Sequence, residues 1–198
     1  MKKTDLNRNQ KTEHIYRKAL KVFARYGYKK TTLDDIAGEL DMTKSNLYLY
    51  VTDKKDLYEK AVAFGLRRWQ KTAYDAIADE TDPVMCLKKF AIAGLNFLND
   101  DQEMKNIVIN DPSVFPLFPN EDHFYKINID SMDIVKDILK IGMKKNIFRR
   151  INLEHATPFL YSLYVMFVIR AHIKSEQKLL EKQVEAAFDI VCNGLIKK

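Results

Sequence analysis

At 198 residues, 46% of them hydrophobic and 30% charged, the chain is long enough to bury a core unaided and too apolar to be disordered. Only 6 glycines and 5 prolines interrupt it, which favours long helices over a turn-rich β fold. Cys86 and Cys192 lie far apart without metal-type spacing and read as reduced core thiols of a cytosolic protein.

The opening MKKTDLNRNQ lacks the apolar stretch of a signal peptide. The longest apolar run, Phe159 to Ile169, is broken by Ser162 and falls well short of the ~20 residues of a membrane span, so no membrane partner is expected. The net charge of +6 is unevenly placed. Residues 1–60 carry 14 Lys/Arg against 9 Asp/Glu, and the remaining 138 carry 19 against 18. A polyanion partner for the first third is the simplest reading, and a solvated basic face is the alternative.

Taken in order, the apolar spacing predicts about nine helices and no strand, an all-α fold. The first helix covers residues 9–26, with Ile15, Ala19, Val22, Phe23 and Tyr26 on one face, and ends at Gly27, where αL geometry is wanted. A second covers 33–40, with Thr32 as N-cap and Asp35 completing a capping box. A third covers 44–51, capped by Thr43. Asp53 opens a fourth, long enough to link two bodies rigidly. Asp82-Pro83 starts a fifth, through residue 99, and a short sixth covers 102–109. The stretch DPSVFPLFPN, residues 111–120, holds three prolines and is expected to be non-helical, serving as a lid or a packed connector. Further helices are expected over 121–145, 153–174 and 176–196, with Pro158 near the start of the eighth or kinking it.

The informative stretch is GYKKTTLDDIAGELDMTKSNLYLYVTDKKDL, residues 27–57. The second helix turns Leu33, Ile36, Ala37 and Leu40 inward, and Asp41-Met42-Thr43 redirects the chain, with Met42 buried. The third helix buries Leu47 and Val51, while its other face offers Lys44, Ser45, Asn46, Tyr48 and Tyr50, with no acid among them. Two short helices joined by a tight turn, the second with a polar, acid-free face, make a helix-turn-helix suited to duplex DNA. Lys44, Ser45 and Asn46 are the expected base readers, because Lys donates to guanine O6/N7 and Asn pairs with adenine N6/N7. Tyr48 and Tyr50 reach for phosphates or thymine methyls. Thr32 and Thr43 cap helix N-termini that favour phosphate, and Lys54 is placed to clamp the backbone. Lys2, Lys3, Arg8 and Lys11 form a possible basic arm.

Gly27-Tyr28, Thr31-Thr32-Leu33, Asp35-Ile36-Ala37, Thr43-Lys44-Ser45, Leu47-Tyr48, Tyr50-Val51, Lys54 and Leu57 together resemble, in register, the TetR family of tetracycline-repressor-like regulators. The resemblance covers about a quarter of the chain. Two positions depart from it: Asp41 stands where Gly is usual in the turn, and Ser45 replaces the commoner Gly or Ala. The resemblance implies a helix-turn-helix domain at residues 1–53 and a helical ligand-binding and dimerisation domain at 54–198, with a pocket among the fourth to eighth helices.

The C-terminal part is rich in aromatic residues. Phe97, Phe115, Phe118, Tyr125, Tyr161, Tyr164 and Phe167 are the candidates for contact with a small hydrophobic or amphipathic effector, against an ordinary aromatic core. Arg67, Arg68, Arg170 and Lys174 are candidates to pair with an anionic head, against a plain surface role. The eighth helix is apolar nearly all round and the ninth adds Val184, Ala187, Phe188, Val191 and Leu195, so the last two helices read as a homodimer surface, with a simple core as the alternative. His14, His123, His155 and His172 are scattered, so no metal is expected; no cofactor or clustered catalytic set is expected either. The functional expectation is a DNA-binding regulator, a repressor released from a near-palindromic operator by its ligand. The alternative is a helical ligand-binding or scaffolding protein without operator activity.

Overall fold

The computed structural model describes residues 3–115, 123–173 and 177–197. Among them are nine α-helices: α1 (Lys3–Lys30), α2 (Leu33–Glu39), α3 (Lys44–Leu47), α4 (Lys54–Asp75), α5 (Pro83–Asp100), α6 (Gln102–Asn110), α7 (Tyr125–Lys144), α8 (Leu153–Ile173) and α9 (Gln177–Leu195). A 3₁₀ turn at Pro112–Val114 lies within the proline-rich stretch, and the only strand-like pairing among the described residues is an isolated bridge between Phe148 and Ile196. The all-α expectation holds.

The chain divides into two compact units, Met1–Arg68 with Asp101–Val114, and Trp69–Asp100 with Phe115–Lys198. In the first, α1 packs on α2 and on α6. Its core contains Ile15, Leu20 and Phe23 of α1, Ile36 of α2, Leu47 of α3, Leu57 and Val62 of α4, and Met104 and Val108 of α6. Both ends of α6 are pinned to α4 through aspartates. Asp101 caps its start, accepting from Met104 N at 3.0 Å and pairing with Arg68. Asp111 at its end accepts from the Tyr58 hydroxyl at 2.6 Å, and burial together with this bond raises the Tyr58 phenol above its ordinary range. Arg68 is therefore already engaged with a carboxylate.

The first helix runs longer than its apolar face suggested. Gly27 breaks it with φ 77° and ψ 159°, and a further turn continues to Lys30. The positive φ was expected, but ψ lies outside αL, in a region that only glycine occupies readily. Thr31 N and Oγ1 both donate to the Gly27 carbonyl, at 3.2 and 2.8 Å, and so close the end.

In the second unit Trp69 is an aromatic hub. Its indole N–H donates to Gly94 O at 2.8 Å, its ring stacks on Phe97 at 5.7 Å, and Phe115 meets it edge-on at 5.9 Å. A second cluster gathers Leu87 and Phe90 of α5, Val135, Ile138 and Leu139 of α7, Phe148, and Leu195 of α9. Pro158 is accommodated in the second turn of α8 without ending it.

Glu80 organises the entry to α5. Its carboxylate accepts from Thr81 N and Asp82 N and pairs with Lys89 Nζ at 2.7 Å. The Lys89 bond and those two backbone N–H groups hold the carboxyl down at about 2, from an ordinary 4.5. Because the folded value is depressed, the resulting stabilisation is fully present above pH 4.5 and disappears as pH falls from there to about 2. Glu80→Gln is expected to flatten this part of a Tm-against-pH profile, while a profile as steep as the parent's would count against the assignment.

Candidate functional site

The site is assembled by caps. At α2, Thr32 Oγ1 accepts from Asp35 N at 3.2 Å while Asp35 Oδ2 accepts from Thr32 N at 2.8 Å, the reciprocal box read from the sequence. The Thr32 hydroxyl and amide hold the Asp35 carboxyl below its ordinary range. The turn that follows puts Asp41 at φ 51°, the αL position that Asp tolerates, and Met42 N bonds to Ala37 O at 3.0 Å. Met42 itself is only half-buried, not buried as expected.

Thr43 then caps α3, its hydroxyl accepting from Asn46 N at 3.2 Å. The regular helix ends at Leu47, four residues earlier than expected. Leu49 N and Tyr50 N bond three residues back, to Asn46 O and Leu47 O at 3.3 and 3.0 Å, and Val51 N bonds four back, to Leu47 O at 3.3 Å, so the chain leaves regular helix in a turn of mixed, partly tightened bonds. Tyr48, Tyr50 and Val51 have modest helix preference, and the three-residue bonds satisfy end carbonyls.

Leu47 and Val51 are buried, and this sets which face is free. Thr43, Lys44, Ser45 and Asn46 are all exposed, with Tyr48 at 49%. Tyr50 is half-buried, with Lys11 Nζ 5.6 Å from its ring centre. Thr32 is exposed beside its cap. The candidate base readers therefore share one accessible turn. Three residues missed in the sequence join them. Leu49, 71% exposed, is an apolar side chain set among polar ones, and only its exposure distinguishes it from a core leucine. Asp34 pairs with Lys44 at 2.8 Å, and this bond raises the Lys44 ammonium above its ordinary range. Tyr28 is the third.

Tyr28 matters through Lys54. The Lys54 ammonium donates to Tyr28 O at 3.0 Å and Thr31 O at 3.1 Å and sits 4.5 Å from the centre of the Tyr28 ring. Two of its three N–H donors thus close the carbonyl end of α1 against the start of α4. Lys54→Met leaves both carbonyls without that partner and is expected to cost about 1–2 kcal/mol of stability, the value of charge-assisted bonds reduced for partial exposure. Lys44→Met, which loses one exposed partner, is expected to leave the melting temperature unchanged. Equal melting temperatures for the two variants would overturn the anchoring role.

The effector candidates separate into groups. Tyr161, Tyr164 and Phe167 line a cavity of about 90 Å³ together with Leu87 and Phe90 of α5, Val135 of α7, and Val184 and Phe188 of α9. Its lining is hydrocarbon and aromatic apart from two hydroxyls, and that of Tyr161 is 3.2 Å from buried Asn128 Oδ1. The Tyr164 hydroxyl lies against Gly94, where any Cβ would collide with it, and burial raises its phenol well above the ordinary range. Phe97 and Phe115 are buried on Trp69 instead. Tyr125 is 58% exposed in the first turn of α7. Phe118, Lys2 and Lys174 fall outside the described residues. On α8 and α9, Phe159, Met166 and Ile190 are 64%, 56% and 72% exposed.

Residues 15–61 match the family model for bacterial regulatory proteins, tetR family. Among curated proteins the chain is similar to IcaR of Staphylococcus aureus strain Newman, the HTH-type negative transcriptional regulator of the biofilm operon icaADBC. That likeness is 40% identity over 50 residues, 25% of this chain and 27% of IcaR, so the match spans about a quarter of the relative's length. Among solved structures it is similar in fold to FadR of Bacillus subtilis, determined in complex with stearoyl-CoA, with TM-score 0.76 and 15% identity over 91% of this chain and 97% of FadR. It is also similar to a TetR transcription regulator of Haloarcula marismortui, with TM-score 0.76 and 19% identity over 96% of this chain and all (100%) of that one. With residues 15–61 matched to that family model and the fold matched along almost the whole length, the chain is similar to TetR-family regulators in its helix-turn-helix and shares their fold.

Proposed function

We propose that this protein is a DNA-binding transcriptional regulator, specifically a repressor that leaves its operator when a small hydrophobic or amphipathic ligand occupies its C-terminal domain. The observation that carries the proposal is the exposed turn Thr43 to Asn46, held by two caps and by buried Leu47. In it Lys44, Ser45 and Asn46 read base edges, Tyr48 and Leu49 meet phosphates or thymine methyls, and Thr32, Thr43 and Tyr50 border the backbone contacts. Lys54 contributes to phosphate only through its one remaining donor, its main role being the corner it holds. Residues 1–53 carry DNA binding and 54–198 carry ligand binding and dimerisation. The negative regulation named for IcaR supports repression, and the stearoyl-CoA bound by FadR supports an apolar effector.

In this reading two copies pair through α8 and α9, which covers Phe159, Met166 and Ile190, and they present two recognition turns to a near-palindromic site in the cytoplasm. Ligand in the cavity of α5, α7, α8 and α9 favours a state in which the two turns no longer fit successive grooves. A differential binding energy of about 1–3 kcal/mol between states gives a response of roughly 5- to 150-fold.

Selection of bound fragments from genomic DNA, followed by affinity measurement on the recovered sequence, tests the DNA reading. Lys44→Ala and Asn46→Ala are each expected to lose roughly 5- to 150-fold on that sequence and much less on random duplex. Full retention of sequence preference by both variants would reject the assignment. For assembly, sedimentation is expected to give a dimer that Phe159→Asp combined with Ile190→Asp converts to monomer. A dimer that survives both charges places the interface elsewhere.

A further inference from the structure

Lys44 is the first residue of α3, and its ammonium lies 2.8 Å from Asp34 Oδ2. Asp34 is in the first turn of α2, but the cap there is made by Thr32 and Asp35, so its carboxylate takes no part in closing that helix end. Both side chains face solvent, with 44% of Lys44 and 67% of Asp34 accessible. The face of α3 carries no acid of its own, yet the neighbouring helix sets one within hydrogen-bond reach of the recognition turn's first cation.

We propose that Asp34 is a specificity-determining residue, one that holds Lys44 off phosphate and makes its release conditional on a base edge. The inference rests on the DNA-reading proposal. An exposed ion pair is held weakly, so Lys44 can change partners. If it changes to a phosphate, Asp34 is left unpaired beside the sugar-phosphate backbone, well inside the screening length of about 10 Å at 0.1 M salt. If it changes to guanine O6/N7, Asp34 is not stranded, because the cytosine of the same pair offers its N4 amino group and a carboxylate accepts from it. The cation and the acid together thus match the acceptor-and-donor order of a G·C edge and mismatch a phosphate. Non-specific duplex, bound through phosphates alone, pays the penalty that the correct sequence avoids.

The test compares the parent, Asp34→Asn, Lys44→Ala and the double variant on random duplex and on the genomically selected sequence, over a salt series. Asp34→Asn is expected to bind random duplex several-fold more tightly, with a salt slope steeper by about 0.9, the signature of one added phosphate contact. Its preference for the selected sequence falls, and in the Lys44→Ala background the slope change disappears. Asp34→Ser, with unchanged circular dichroism, repeats the result. Random-duplex affinity and slope left at parental values overturn the inference. So does an equal gain with and without Lys44, which marks a mere long-range charge effect. A parent protein that binds no duplex at all overturns the underlying DNA reading, and with it this inference, before any variant is compared.

Discussion

The burial of Leu47 is the contact on which the exposed turn Thr43 to Asn46 depends. A four-residue helix has no stability of its own, since nucleation costs more than so few hydrogen bonds return. What holds it is the Leu47 side chain, fully enclosed in the core of the first unit, which also buries Ile36, Val51 and Leu57. Once Leu47 points inward, helical geometry turns Ser45 and Asn46 away from the core, while Lys44, one turn before Leu47 at the exposed start of the helix, reaches solvent through its long side chain. The polar face is therefore a by-product of an apolar one, and it is only as rigid as the packing beneath it.

Around that contact, charge is used in two different ways. Lys54 is spent on two carbonyls and a ring and acts as a structural corner piece. Lys44 is matched to a single exposed carboxylate and remains free to exchange. The same residue type thus does opposite jobs ten residues apart, and the difference lies in how many of the ammonium's donors are already committed. In the second unit the cavity is lined almost entirely by apolar side chains. The Trp69 indole donates to Gly94 O and the Tyr161 hydroxyl meets Asn128, and the cavity among α5, α7, α8 and α9 is hydrocarbon and aromatic apart from the hydroxyls of Tyr161 and Tyr164.

Much of this was legible in the sequence. The nine helices follow from 3.6-residue spacing and scarce breakers, and the Thr32–Asp35 box and the Asp41 turn follow from local chemistry that neighbours do not override. The length of α3 was not legible, because apolar spacing continues through Val51 while the backbone hydrogen bonds partly tighten after Leu47. Nor was the Asp34–Lys44 pair, which joins residues on different helices. The aromatic candidates show the same limit. Phe97 and Tyr161 look alike in sequence, yet one packs on Trp69 and the other faces a cavity, since periodicity gives a face for each helix but not which faces converge.

The most direct measurement is an amide chemical-shift map of the protein titrated with the duplex it selects. The account predicts that the largest changes fall between Thr43 and Leu49 and at Thr32, with the amides of α7 and α9 little moved. Changes centred on the C-terminal helices, or none between Thr43 and Leu49, would contradict it.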